Sequence, residues 1–535
     1  MSAEAIPPDQ PAEKKSLFES HPLLLVVILT IASFMEVLDA GIANVALPNI
    51  AGNLSVTPEE ASLVTSSYLV ANAVIIPITG WLSTYFGRKR LYLACVAIFI
   101  AASFLCGVST SLEMLVFFRV VQGLGGGSLV ALEQAFIVDR VPAAQRGMAF
   151  SIYGATIVCA PIFAPALGGW ITDNYSWHWV FFINVPIGLL SLFLVSTFVT
   201  EPKATTEERK RLRESGQRID WVGILLITVG IAALAIVLDK GNIEDWFESS
   251  FIVTFSIIAF VALVIGIAWE LTVENPAVDI KLLANRSIGG GTVVVFVIAV
   301  MIYGSTVLIP LFAQRLLGFT AQDSGMINTA GGLVSLVMIP VAGFMMKKID
   351  ARYLAIAGLS FSAFALWNLT SLNLQAGYWD LAYMRGLQAF AGAFLFAPVM
   401  AAAFRGVPAG KADNASSLIT TSVSLGGSFG IALLTMLLAD KTQYHIGVLS
   451  IQASNYNPNY VAWLSRATQA LQEKGMSAIE AAEAARGMMW SEIQRQAGML
   501  AFIDAFYAMM ILMIFAIPLV FLFKSGKSKE GETAH

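Results

Sequence analysis

An all-α protein that crosses a membrane many times is predicted by three observations on this chain. Hydrophobic residues make up 57% of the 535 and charged residues only 13%, with a mean hydropathy of +0.73, whereas a soluble domain carries roughly 25% charged residues. The apolar residues fall in runs of about 20, the length that lets a helix cross ~30 Å of hydrocarbon, and not in the alternating pattern of barrel strands. Short motifs recur at a nearly constant offset, as they do in a bundle built twice.

Taken in order, the apolar runs predict fourteen spans: 23–45, 59–84, 91–110, 113–139, 149–171, 179–200, 221–239, 250–270, 288–311, 323–346, 353–371, 380–404, 413–439 and 498–523. Of the 32 Lys and Arg, 23 fall on the side of the two termini, seven on the other side, and Arg119 and Arg385 inside spans. Basic loops stay in the cytoplasm, so both termini are expected there and the helix count is even. A net charge of −4 gives no reason to expect a nucleic-acid partner. Cys95, Cys106 and Cys159 all lie in apolar runs, so no disulfide framework is expected.

Helix 4 contains FFRVVQGLGGG from Phe117, and 266 residues later helix 12 contains YMRGLQAFAGA from Tyr383, aligning Arg119 with Arg385 and Gln122 with Gln388. The following loops match as VPAAQRGMA from Val141 and VPAGKADNA from Val407, and Pro77-x-x-Gly80 returns as Pro340-x-x-Gly343. The repeat is parallel, because both halves start on one side. This divides the chain into an N-terminal segment 1–22, a six-helix bundle 23–200, a basic linker 201–220 and an inserted helix pair with its flanking loop, 221–287. A second six-helix bundle, 288–523, holds an outer loop at 440–497, and a tail 524–535 follows.

These motifs resemble the major facilitator superfamily, in particular its 14-helix drug:proton antiporter branch and the EmrB-type multidrug exporters. LDAGIANVALP from Leu38 resembles the branch's helix-1 signature, and Gly80-Trp-Leu-Ser-Thr-Tyr-Phe-Gly87-Arg88-Lys-Arg its loop 2–3 signature. RVVQG from Arg119, APIFAPALGG from Ala160 and WHWVFFINVPIG from Trp177 resemble the signatures of helices 4, 5 and 6. The resemblance implies a proton-coupled antiporter in a bacterial inner membrane, with no cofactor beyond the proton gradient. It also implies an EmrA-type periplasmic adaptor and a TolC-type outer-membrane channel as partners. Three positions depart from the pattern: Gly41 replaces a hydroxyl residue, Thr84 stands where the loop motif has an aspartate, and Ala164 replaces the first glycine of the helix-5 motif. Asp139, at the same end as Arg88, is the candidate replacement for the missing loop carboxylate.

Asp39 on helix 1 and Arg119 on helix 4 share a depth near the outer side. An unpaired charge at the bilayer centre costs at least ~2.5 kcal/mol, so both must face protein or water. Glu36 lies on the helix face of Asp39, and Glu133 is about four turns, roughly 21 Å, inward from Arg119 on nearly its face. Two readings follow for these groups. They are interhelical hydrogen-bonding groups, or Asp39 is the principal proton-coupling residue, tuned by Arg119, with Glu36, Glu133 and Gln122 serving the proton or a cationic drug. The second reading predicts that Asp39→Asn abolishes transport and spares folding.

In helix 5, Pro161 and Pro165 followed by Gly168 and Gly169 predict a kinked, smooth packing face, which the resemblance associates with antiport. Gly125, Gly126 and Gly127 read as packing contacts. No G-x-x-x-x-G-K-S/T stretch occurs, so the energy is expected from an ion gradient and not from ATP. Within 440–497, runs such as AIEAAEAARGMMWSEI are strong helix formers, read as a cap lying on the membrane surface or as an adaptor contact. A symporter, a lipid or fatty-acid exporter, and a non-transporting membrane scaffold are the alternatives.

Overall fold

The computed structural model describes residues 22–201, 206, 220–405, 407, 408 and 410–523. Segment 1–21, most of the linker and the tail from 524 lie outside the described residues. Each predicted span is a helix: α1 Pro22–Leu54, α2 Leu63–Phe86, α3 Arg88–Gly107, α4 Leu112–Arg140, α5 Arg146–Asn174, α6 Asn184–Phe198 and α7 Trp221–Lys240. There follow α8 Ser250–Thr272, α9 Arg286–Leu317, α10 Ala321–Met345, α11 Ala351–Leu369, α12 Tyr378–Ala393, α13 Ala412–Gln452 and α14 Ala478–Ala516. Among the described residues there is no strand, and thirteen helical segments are long and apolar enough to cross a membrane. The segment outside that set is α11, a 19-residue helix with Arg352 as its second residue and Asn368 next to its last.

Two spans are broken where the sequence predicts single helices. α12 stops at Ala393 and resumes as Phe396–Ala403, and α6 is preceded by the separate turn Trp179–Phe182. In both places a proline follows closely: Phe394, in the first break, is residue i−4 of Pro398, and Phe182, the last residue before the second break, is residue i−4 of Pro186; the proline ring clashes with that carbonyl and has no N–H to bond it. By contrast, α5 runs unbroken through Pro161 and Pro165.

The outer segment also differs from expectation. The helices that flank it are longer than predicted: α13 continues as helix to Gln452 and α14 already starts at Ala478. The 13 extra residues of α13 add about 20 Å of helix. Helix Pro458–Glu473 joins the two extensions, Ala481 and Ala485 of α14 are buried, and His445 of α13 meets Asp504 of α14 at 2.8 Å. A capping box fixes the start of α14: Ser477 Oγ accepts from Glu480 N and Glu480 accepts from Ser477 N.

The halves meet through equivalent contacts. A Cβ on Gly80 of α2 would lie 2.8 Å from the Asn414 Cα of α13, and one on Gly343 of α10 would lie 2.5 Å from the Ser151 Oγ of α5. The repeated Pro-x-x-Gly therefore marks where each half receives a helix of the other, and only glycine allows that approach. The inserted α7 and α8 pack on each other, and α7 packs against α2, with Ile227, Ile231 and Ala235 meeting Ala73 and Ile78. Phe260 of α8 stays 70% exposed, a side chain suited to lipid contact.

Candidate functional site

The polar residues of α1 form rungs against the antiparallel α4. At the first rung Arg119 Nη1 donates to Asp39 Oδ2 at 2.5 Å and to Gln122 Oε1 at 2.9 Å. Gln122 Nε2 and Asn184 Nδ2 donate to Asp39 Oδ1 at 2.9 and 2.6 Å. The carboxylate thus faces one cation and two amides with 1% of its surface exposed, and Arg119 is fully buried. The Arg119 guanidinium lies 4.1 Å from the Tyr68 ring centroid, a cation–π contact that adds to the ion pair in a water-poor site.

One turn along α1, Glu36 accepts from Tyr68 Oη at 3.1 Å and Asn72 Nδ2 at 2.8 Å. Tyr68 therefore touches both carboxylate stations, with its ring under Arg119 and its hydroxyl on Glu36. Glu36 fits because α4 has no side chain at Gly126, where a Cβ would come 3.1 Å from the Glu36 Cγ. Gly125 and Gly127 press on α3 and α2, so the triglycine is a packing device. At the last rung Ser33 donates its hydroxyl to Glu133 Oε2, while Glu133 Oε1 is buried without a hydrogen-bond partner.

At the end where α2 meets α3 lies a second charged group. Gly87, at φ 97°, turns the chain into α3 in a region open to glycine. Arg88, fully buried, donates from Nη2 to Asp139 Oδ2 at 2.7 Å. It also donates from Nε and Nη2 to Asp413 of the other half at 2.7 and 2.6 Å, and Ser83 Oγ donates to the same carboxylate at 2.6 Å. Thr84 bonds only its own helix, through Gly80 O. The missing loop carboxylate is thus replaced twice, by Asp139 within the half and by Asp413 across the interface. Asp413 carries a signal in the sequence: within the matched loops it stands opposite Gly147, a charge with no counterpart in the repeat.

The departures at 41 and 164 also meet. A Cβ on Gly41 would come 2.5 Å from the Cβ of Ala164, so the methyl on α5 occupies the space left by the glycine of α1. Gly168 packs on Ile42 and Val45, no described atom lies within 4 Å of a Cβ on Gly169, and Pro161 is exposed. The side chain of Pro165 is outside the described residues. Gly41→Ser is expected to lower the thermal stability by about 1–3 kcal/mol through overpacking. Adding Ala164→Gly restores it, and unfolding of both variants in detergent checks the pairing.

Toward the end opposite Arg88, a cavity of about 960 Å³ opens between α2, α7, α9 and α13, lined by Leu69, Asp239, Trp246, Arg315 and Asp440 among others. That is within the size range of drug-binding sites. Among the described residues no group of three or more side chains is placed to hold a metal ion.

The sequence profile of the Major Facilitator Superfamily matches residues 29–275 and 291–533. The chain belongs to this superfamily. Within it the chain is of the EmrB type. It is 38% identical over 439 residues to the multidrug export protein EmrB of Haemophilus influenzae, covering 82% of this chain and 84% of that one. It is 36% identical to EmrB of Escherichia coli K12 over 85% of this chain and 87% of that one. With the fatty acid resistance protein FarB of Neisseria gonorrhoeae it shares 33% identity over 93% and 95% of the two chains. The solved structure of the proton:xylose symporter XylE aligns with a TM-score of 0.61 at 14% identity, covering 94% of this chain and 96% of that one. That likeness agrees with the superfamily fold in this all-α, multi-pass membrane protein.

Proposed function

We propose that this EmrB-type transporter exports hydrophobic small molecules from the cytoplasm in exchange for protons, by alternating access across the inner membrane with both termini cytoplasmic. The reading rests on one observation above the others: Asp39 is buried against Arg119, Gln122 and Asn184 on helices of one bundle. A proton arriving on Asp39 removes the charge that holds Arg119, so the α1–α4 contact is strongest in one protonation state and weakest in the other. Differential contact of this kind is what a proton needs in order to drive a conformational change. Glu36 and Glu133 extend the line of acids along α1 and α4, as stations for the proton or as partners of a cationic drug.

The Arg88–Asp413 pair holds the halves together at the end assigned to the cytoplasm. In the cycle, the inward-facing state takes up drug with the acids ionised, the halves rock, protonation from outside accompanies release, and proton loss to the cytoplasm resets the bundle. One charge crossing the membrane supplies ~2.3 kcal/mol per 100 mV, enough for uphill export with a proton or two. The helical projection built by α13, Pro458–Glu473 and α14 is the surface offered to an EmrA-type adaptor, and through it to a TolC-type channel. The chain acts as a transporter and not as an enzyme.

Everted vesicles with an imposed pH gradient test this reading. Antiport accumulates a hydrophobic drug when the lumen is acid. Accumulation only with an alkaline lumen indicates symport, and no response to either gradient makes the chain a scaffold. Mild crosslinking in cells tests the adaptor separately, through capture at residues of the projection.

A further inference from the structure

Both halves carry the arginine–glutamine pair, and only one of them carries its acid. The offset of 266 that takes Arg119 to Arg385 and Gln122 to Gln388 takes Asp39 to Ser305. The structure follows this correspondence at the arginine Nη1. Arg385 Nη1 donates to Gln388 Oε1 at 2.6 Å and to Ser305 Oγ at 3.3 Å, as Arg119 Nη1 donates to Gln122 and Asp39.

The remaining donors of the second site are poorly used. Arg385 Nη2 reaches the Thr306 hydroxyl at 3.2 Å, Arg385 Nε is buried with no partner, and Gln388 Nε2 points at the Met301 sulfur at 3.5 Å. Among the described residues no carboxylate pairs with Arg385. Helix α10 packs directly on the stem of Arg385, because a Cβ on Gly331 would come 2.8 Å from the Arg385 Cγ, so glycine at this position is what admits the arginine. Arg385 is partly exposed, where Arg119 is fully buried.

A guanidinium presents a planar fork of donors that matches a two-oxygen anion. Holding such a charge inside a membrane protein with only hydroxyl and amide partners is costly. We infer that Arg385, Gln388 and Ser305 form an anion site that receives the carboxylate of an amphiphilic substrate, which takes the place Asp39 holds in the first half. The inference rests on the export reading and narrows its substrates to hydrophobic organic acids. The acid head lies on α9 and α12, and the chain's own acids remain on α1 and α4 for protons. Substrate charge and proton charge are thereby handled by opposite halves.

Equilibrium binding to the purified full chain in phosphatidylcholine nanodiscs tests this, with radiolabelled laurate near neutral pH and empty nanodiscs as the blank. Unlabelled laurate is expected to compete at least about tenfold better than its methyl ester, the strength of one charge-assisted contact. Arg385→Gln and Ser305→Asp should each weaken laurate by about tenfold or more and shift the ester by less than about twofold. Ser305→Asp keeps the arginine and gives it an internal acid, so the folded state is retained even where Arg385→Gln is unstable. Equal binding of laurate and ester, or wild-type laurate binding by Ser305→Asp, overturns the proposal. So does loss of laurate binding when phosphatidylglycerol replaces phosphatidylcholine, which assigns the site to a lipid headgroup. No pH gradient is present, so a chain that binds laurate and fails to export sinks the antiport reading and leaves this site standing.

Discussion

Asp39→Asn is expected to abolish drug accumulation in everted vesicles with an acid lumen and to destabilise the protein. The loss of transport follows if Asp39 is the acid whose protonation releases Arg119. The loss of stability corrects the expectation, drawn from sequence, that folding would be spared. Arg119 is fully buried and Asp39 is its ion-pair partner, and removing one member of a buried pair costs about 3–5 kcal/mol because the other charge is left uncompensated. The double variant Asp39→Asn/Arg119→Gln removes both charges and should recover much of the stability while remaining inactive. A double-mutant cycle of thermal unfolding in detergent isolates the coupling. Wild-type export by Asp39→Asn would sink the coupling role, whereas unchanged stability would show that water reaches Arg119.

Much of this architecture was legible in the sequence, for physical reasons that differ by element. Span length is dictated by membrane thickness, so each apolar run became a helix. The pairing of Asp39 with Arg119 was legible because both charges sit at one depth and neither can face lipid. What the sequence did not show was which neutral side chains complete the site. Tyr68, Asn72 and Asn184 donate to the acids, and nothing in their spacing separates them from other polar residues in the spans. Asn184 lay inside a quoted motif, and its role appears only once α6 packs beside α1 and α3, where it also donates to Ser103. The ends of α13 and α14 were set short because helix continues beyond the membrane wherever propensity allows it, and hydropathy reports only the part in lipid. The compensation between Gly41 and Ala164 was hidden because each looked like an isolated departure; a contact between helices makes them one feature.

Asp413→Asn is expected to open the Arg88 end of the transporter and lower export, and adding Thr84→Asp is expected to leave that end open. Arg88 is fully buried and splits its donors between Asp139, which is 17% exposed, and Asp413, which is 2% exposed and lies in the other half. Of the two carboxylates only Asp413 connects the bundles, so neutralising it removes the ionic contribution to closure while Arg88 keeps a partner within its own half. A hydrogen bond to a charged group is worth about 1.5–3 kcal/mol, and each 1.4 kcal/mol shifts the open population tenfold. Thiol labelling of Ser416→Cys, a position only 1% exposed beside the lock, should accelerate by about tenfold or more on adding Asp413→Asn. With Cys159 replaced by serine in every variant, the buried native thiols of Cys95 and Cys106 supply the internal control. Thr84→Asp places a carboxylate at the position the superfamily's loop motif uses, one helical turn before Arg88. It cannot reproduce a bond across the halves, so full rescue of labelling would mean that the lock works by orienting Arg88. Rescue of export with labelling still fast would separate closure from coupling. Unchanged labelling in Asp413→Asn alone would remove the lock from the cycle and leave the packing of Gly80 on Asn414 as the contact that closes this end.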